Sequence, residues 1–190
     1  MRSAITFCAK ISAVLMLFLS LGCASKTIPE HQLYTLQSVA SGNEVVQGSV
    51  GLANARIRIA GVSTAAYLSQ AGIVTSDAAG IIYPANYHLW AELPEVAIKR
   101  RLERCVLQDT KTTRKPQVIQ VQVNSFQGDG DGGVVFDGVW TSTPQDAPAS
   151  KDTYLFEYRE SQSGDGYGPL VTALSNTVQQ LCVDILEKAE

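Results

Sequence analysis

The stretch QVIQVQVNSF, residues 117–126, limits what this chain can fold into more than any other part of it. Ile119, Val121 and Val123 alternate with Gln120, Gln122 and Asn124. A period of two sorts apolar and polar side chains onto opposite faces of a strand, and no helix can do the same. Two further strand-like stretches follow, VVFDGVWTST and DTYLFEYRES, after the turn-rich QGDGDGG and PQDAPAS. Three strands joined by short polar links predict an antiparallel meander with one dry face.

That dry face needs a cover, and two helical stripes supply it. From Pro94 onward, Ile98, Leu102, Cys105 and Val106 recur at helical spacing, with Lys99, Arg100 and Arg104 on the wet side. Pro94 suits the first turn, and Glu92 and Glu95 suit its positive end; the helix is expected to stop near Asp109. A second stripe begins at about Pro169 and carries Val171, Leu174, Val178, Leu181, Cys182 and Ile185. Ahead of the first helix, HQLYTLQSV and LANARIRIAGV read as strands. In the second, Ala55, Ile57 and Ile59 oppose Arg56 and Arg58. A short 3₁₀ piece is expected around Tyr67 and Leu68, then a hairpin turning at DAAG within IVTSDAAGIIYP, and NYHLWAELPE as the lead into the helix. The order strands, helix, strands, helix predicts an α+β fold, a mostly antiparallel sheet with two helices packed on one face.

The first 22 residues do not fit that domain. Arg2 and Lys10 precede twelve uncharged, mainly apolar residues, 11–22. As a helix these would rise about 18 Å, too little for the ~30 Å hydrocarbon core of a bilayer. A basic start, a short apolar core and small residues before a polar break form an export signal. The junction SLGC resembles the bacterial lipobox, in which the chain is cut before the cysteine and the cysteine is acylated. The usual leucine three residues before it is here Ser20, with Leu19 one step further out. The resemblance makes Cys23 the lipidation site, and Ala24 after it implies the outer membrane. Several acyl chains on one residue hold firmly, at about 0.8 kcal/mol per buried methylene. The expected organisation is a signal peptide at 1–22, a tether at 23–30 (through ASKTIPE) and a single α+β domain at 31–190.

The processed chain would carry 13 basic and 18 acidic residues, a net charge of −5. That argues against nucleic acid and offers no general basic patch for anionic lipid. With Cys8 removed and Cys23 acylated, Cys105 and Cys182 remain on the two helical stripes. In an oxidising compartment they either bridge the helices or stay as buried free thiols.

No chemistry-bearing motif emerges. GDGDGG begins like a calcium loop, but the twelfth position from Asp129 is Trp140 rather than a bidentate acid. The stretch reads as a hairpin turn, with a weak metal site as the rival reading. His31 and His88, the two histidines, are 57 positions apart, and neither belongs to an HExxH or Cys–His pattern. GDGYG lacks the spacing of a dinucleotide loop. The acids are scattered. No catalytic residue, metal or cofactor is nominated, and the chain is not expected to be an enzyme. Tyr67 and Leu68 sit in a loop and suit a partner interface. Trp90 suits either core packing or an interface.

An ordered set of short motifs then resembles the ABC-type transport auxiliary lipoproteins. A YxL strand follows the tether, here Tyr34-Thr35-Leu36. A YL pair and an IV hairpin follow, here Tyr67-Leu68 and Ile73-Val74. A tryptophan-led approach to the first helix comes next, Trp90-Ala91-Glu92-Leu93-Pro94, its last two residues transposed relative to the family pattern. SQAG stands where the family often has DRPQ. The resemblance implies a non-catalytic lipoprotein at the outer membrane, facing the periplasm. It implies a ring of like subunits that docks an MCE-domain tube protein for lipid transport between membranes. Tyr67, Leu68, Ile73 and Trp90 become its partner-binding candidates. The rival expectation is a stand-alone periplasmic protein holding one amphiphile between sheet and helices.

Overall fold

A computed structural model of the chain describes residues 29–36, 56–108 and 115–189. The signal segment, Cys23, the expected strand residues beyond Leu36 and the links on either side of 56–108 lie outside the described residues. The strands and helices all fall in the compact unit His31–Glu190.

Seven strands form one sheet: β1 (Gln32–Tyr34), β2 (Ile57–Thr64), β3 (Gly72–Ser76), β4 (Ile82–Trp90), β5 (Gln117–Gly128), β6 (Gly133–Pro144) and β7 (Asp152–Ser161). A 3₁₀ turn, Ala66–Leu68, follows β2; helix α1 (Pro94–Leu107) follows β4, and helix α2 (Tyr167–Lys188) follows β7. The spatial order is β1-β4-β3-β5-β6-β7, with β2 also against β5. The meander is the strongest ladder: β5 pairs β6, and β6 pairs β7, antiparallel along most of their lengths. Asp129 closes the first of its turns by accepting the backbone N–H of Gly133 at 2.8 Å and of Asp131 at 3.1 Å. Its carboxylate is thus committed to its own loop.

The expected antiparallel bias is only partly right, because the sheet is mixed. β3–β4, β5–β6 and β6–β7 are antiparallel, while β1–β4, β2–β5 and β3–β5 are parallel. Between β2 and β5 the chain makes a hairpin and then a helix, and a helical crossover returns it in its original direction. A second difference is β4. NYHLW leads into the helix as expected, but it is itself strand to Trp90, held in parallel register by Gln32–His88, Leu33–Leu89 and Tyr34–Trp90.

Both helices cover one face of the sheet. There, Ile57, Ile59, Ile119, Val121 and Val123 meet Ile98, Leu102, Leu174, Val178 and Leu181. Aromatic rings extend this core across the strands. Trp90 stacks on Phe126 with centroids 5.9 Å apart, Phe126 meets Phe136 edge-on at 5.1 Å, and Phe136 meets Phe156 at 4.9 Å. Such pairs add about 0.5–1.5 kcal/mol each beyond the area they bury. Gly138 is required beneath this row, since a Cβ there would run into the Gln122 carbonyl oxygen and the Phe156 ring.

Pro94 opens α1 at its first position, with Glu95 in the first turn accepting the Thr64 hydroxyl at 2.9 Å. Glu92 instead pairs with Arg100. Helix α2 starts at Tyr167, two residues ahead of Pro169. Cys105 and Cys182 are joined as a disulfide between the helices, with Cα atoms 6.4 Å apart. Closing a loop of 77 residues stabilises by roughly 4 kcal/mol in the chain-entropy account.

Candidate docking face

The four partner-binding candidates separate by depth. Leu68, Ile73 and Trp90 are 1 %, 0 % and 5 % exposed and belong to the core. They have almost no surface to offer a partner; local sequence does not distinguish an apolar loop residue that anchors a partner from one that plugs its own sheet. Leu68 enters the core from the 3₁₀ turn, and Trp90 ends β4 against the Phe126 ring. Tyr67 is different. Its ring is half-buried, and its hydroxyl lies 2.7 Å from Gln127 Oε1 and 3.0 Å from the Asn124 carbonyl oxygen. Burial is the main reason its ionisation is pushed above the usual tyrosine range, with the Asp137 charge adding to it and a hydrogen bond to Ser125 opposing. Tyr67 therefore ties the turn to β5 and satisfies the buried Gln127 amide, while part of the ring remains accessible.

The histidines, distant in sequence, enter two separate aromatic contacts. His31 lies 5.7 Å from the ring of Tyr87. His88 stacks on Tyr167 at 4.0 Å, and its Nδ1 is 3.1 Å from the Tyr34 hydroxyl. Tyr87 and His88 are consecutive in β4, so these contacts fall on opposite faces of the sheet. The His88–Tyr34–Tyr167 contact joins β1 and β4 to the start of α2. Sequence reasoning missed it because its members come from three distant segments. One signal was present: between Arg58 and Glu92 the sole charged residue is Asp77, so the ribbon that carries Tyr83, Tyr87 and His88 is almost uncharged.

Asp77 holds the β3–β4 turn. Its carboxylate accepts the N–H of Ile81 at 2.9 Å and of Ala79 at 3.0 Å, and the Tyr83 hydroxyl at 2.9 Å. These bonds, led by the one from Ile81, hold its ionisation below the usual carboxylate range. The reciprocal effect raises Tyr83. A surface cavity of about 450 Å³ opens beside this turn, lined by Thr75, Ser76, Asp77, Tyr83, Gln162 and Asp165, with glycines between them. Its lining mixes polar side chains with the Tyr83 ring and glycine backbone, and it is open to water. Among the described residues, no three His, Cys, Asp or Glu side chains converge as a metal site. No described helix is long and apolar enough to cross a membrane.

A family model for the ABC-type transport auxiliary lipoprotein component matches residues 34–186. Two solved structures share the fold. An uncharacterized protein superposes with a TM-score of 0.67 at 20 % identity, covering 85 % of this chain and 100 % of the other. Protein XCC0632 from Xanthomonas campestris, assigned to DUF330, gives 0.60 at 14 % identity, covering 68 % of this chain and 80 % of the other. No curated protein matches significantly. At these identities the structures speak for the fold alone.

Proposed function

This chain belongs to the family of ABC-type transport auxiliary lipoprotein components, and on that premise we propose that it is a non-catalytic docking adaptor of an intermembrane lipid-transport system. In this reading Cys23 is acylated and holds the domain at the outer membrane, facing the periplasm. A ring of such domains receives an MCE-domain tube protein, which conducts the lipid. The adaptor contributes to membrane integrity through that contact.

The filled space between sheet and helices carries the reading. The row Trp90–Phe126–Phe136–Phe156, with Leu174, Val178 and Leu181 above, occupies the place where a carrier would hold its cargo. Lipid and drug-sized ligands are usually held in largely preformed apolar pockets of about 300–1,000 Å³. The cavity by Asp77 has the volume but is a wide, water-open depression on the surface, with Asp77 and Asp165 in its lining. Native mass spectrometry of protein purified gently from membranes separates the two roles. An adaptor shows subunit or partner masses with no stoichiometric small amphiphile. One retained amphiphile per chain, beyond the acyl chains on Cys23, contradicts it.

A further inference from the structure

We propose that the outer face of the β1–β4 edge rests on the membrane surface, with Leu33, Tyr87 and Leu89 at the level of the lipid headgroups. The inference relies on Cys23 being the acylated anchor. Three observations meet at this edge.

The first is apolar exposure without charge. Leu33 is 66 % exposed although it pairs in register with Leu89, and Tyr87, on the same face as Leu89, is 36 % exposed. Residues 31–36 contain no Asp, Glu, Lys or Arg, and Asp77 is the lone charged residue in 59–91. A strand edge in water is ordinarily defended by charge, because bare edges and apolar patches invite association. The opposite edge follows that rule: exposed Leu155 on β7 is accompanied by the ion-paired Glu157 and Arg159.

The second is side-chain type. Tyrosine has an apolar body and a polar tip, which suits the headgroup zone, where aromatic side chains collect. The His31 ring against Tyr87 widens this platform while keeping polar atoms available.

The third is the point of entry, and it favours lipid as the occupant. The compact unit begins at His31, eight residues after Cys23. Eight residues span at most ~28 Å when fully extended. The chain thus joins the domain within the patch itself, whereas β7 lies five strands away in the sheet order, roughly 24 Å at ~4.8 Å per strand. The anchored chain therefore enters the sheet at its β1–β4 edge, beside the exposed apolar side chains and at the far side from β7. Exposed Glu30 borders the patch, but Leu33, Tyr87 and Leu89 themselves carry no charge, so their contact with lipid should depend little on salt.

The test uses the full acylated chain with a nitroxide on Leu33→Cys, reconstituted into phosphatidylethanolamine–phosphatidylglycerol vesicles, beside the same chain labelled at Leu155→Cys. Both positions are exposed, so neither label burdens the fold. The expected result is a several-fold higher ratio of oxygen to nickel-chelate accessibility at 33 than at 155, unchanged at high salt. Equal, water-like accessibility at both positions overturns the proposal. A label at 33 shielded from oxygen and nickel alike also overturns it, and assigns the edge to a contact with protein. The mass of the Cys23 peptide is read on the same sample. An unacylated Cys23 removes the anchor reading and the proposal with it, whereas an acylated chain with a water-exposed Leu33 removes the proposal alone.

Discussion

At the scale of single residues, the fold is decided by side chains that local sequence leaves ambiguous. Trp90 suited a core, with an interface as the rival role, and depth resolved it: the indole is buried and stacked on Phe126. Trp90→Ala should therefore cost about 3–5 kcal/mol, as large core truncations do. Urea unfolding checks this, and unchanged stability with lost partner binding would restore the interface role. Asp77 gives a prediction in pH. Its folded-state ionisation lies below the usual carboxylate range because backbone donors favour the charged form. That contribution is present above the unfolded value of about 4 and is lost as pH falls through the folded value. Melting temperature should thus decline on acidification below about pH 4, and Asp77→Asn should flatten that part of the profile. The carboxylate is exposed, so the effect will be small.

At the scale of elements, alternation was legible and neighbours were not. Ile119, Val121 and Val123 announced the dry face of β5 because a period of two depends only on the strand itself. The stripes of α1 and α2 were legible for the same reason. The β3–β4 hairpin at DAAG was legible too, but the continuation of β4 to Trp90 was not, since Tyr87, His88 and Leu89 lack a clean alternation and precede a helix-opening proline. NYHLW is held as strand between β3, through Gly72–Leu89, and β1, whose residues lie more than fifty positions away. The two cysteines were placed on their stripes by sequence, but whether they met depended on how the helices cross. Reduction, or Cys105→Ala with Cys182→Ala, should lower stability by roughly 2–5 kcal/mol, as loss of a native bridge commonly does. Peptide mapping without reductant should show 105 linked to 182; two free thiols would reject the bridge.

At the scale of the whole molecule, sheet direction was the part least available to sequence. Three of the six strand pairings are parallel, and nothing within a strand encodes the direction of its neighbour. The architecture that results has one thoroughly packed face, an open surface cavity at one turn and an apolar edge where the chain enters. Those features suit a domain whose work is contact. In the proposed reading the anchor contributes position: Cys23→Ser should remove the protein from the outer-membrane fraction, and continued outer-membrane fractionation would remove the acyl anchor from the account. The central claim, that this lipoprotein docks a transport tube, is tested most directly by cross-linking the acylated chain in native membranes and identifying what co-purifies. The account predicts an MCE-domain protein together with further copies of this chain; recovery of a periplasmic hydrolase complex with no MCE-domain protein would contradict it.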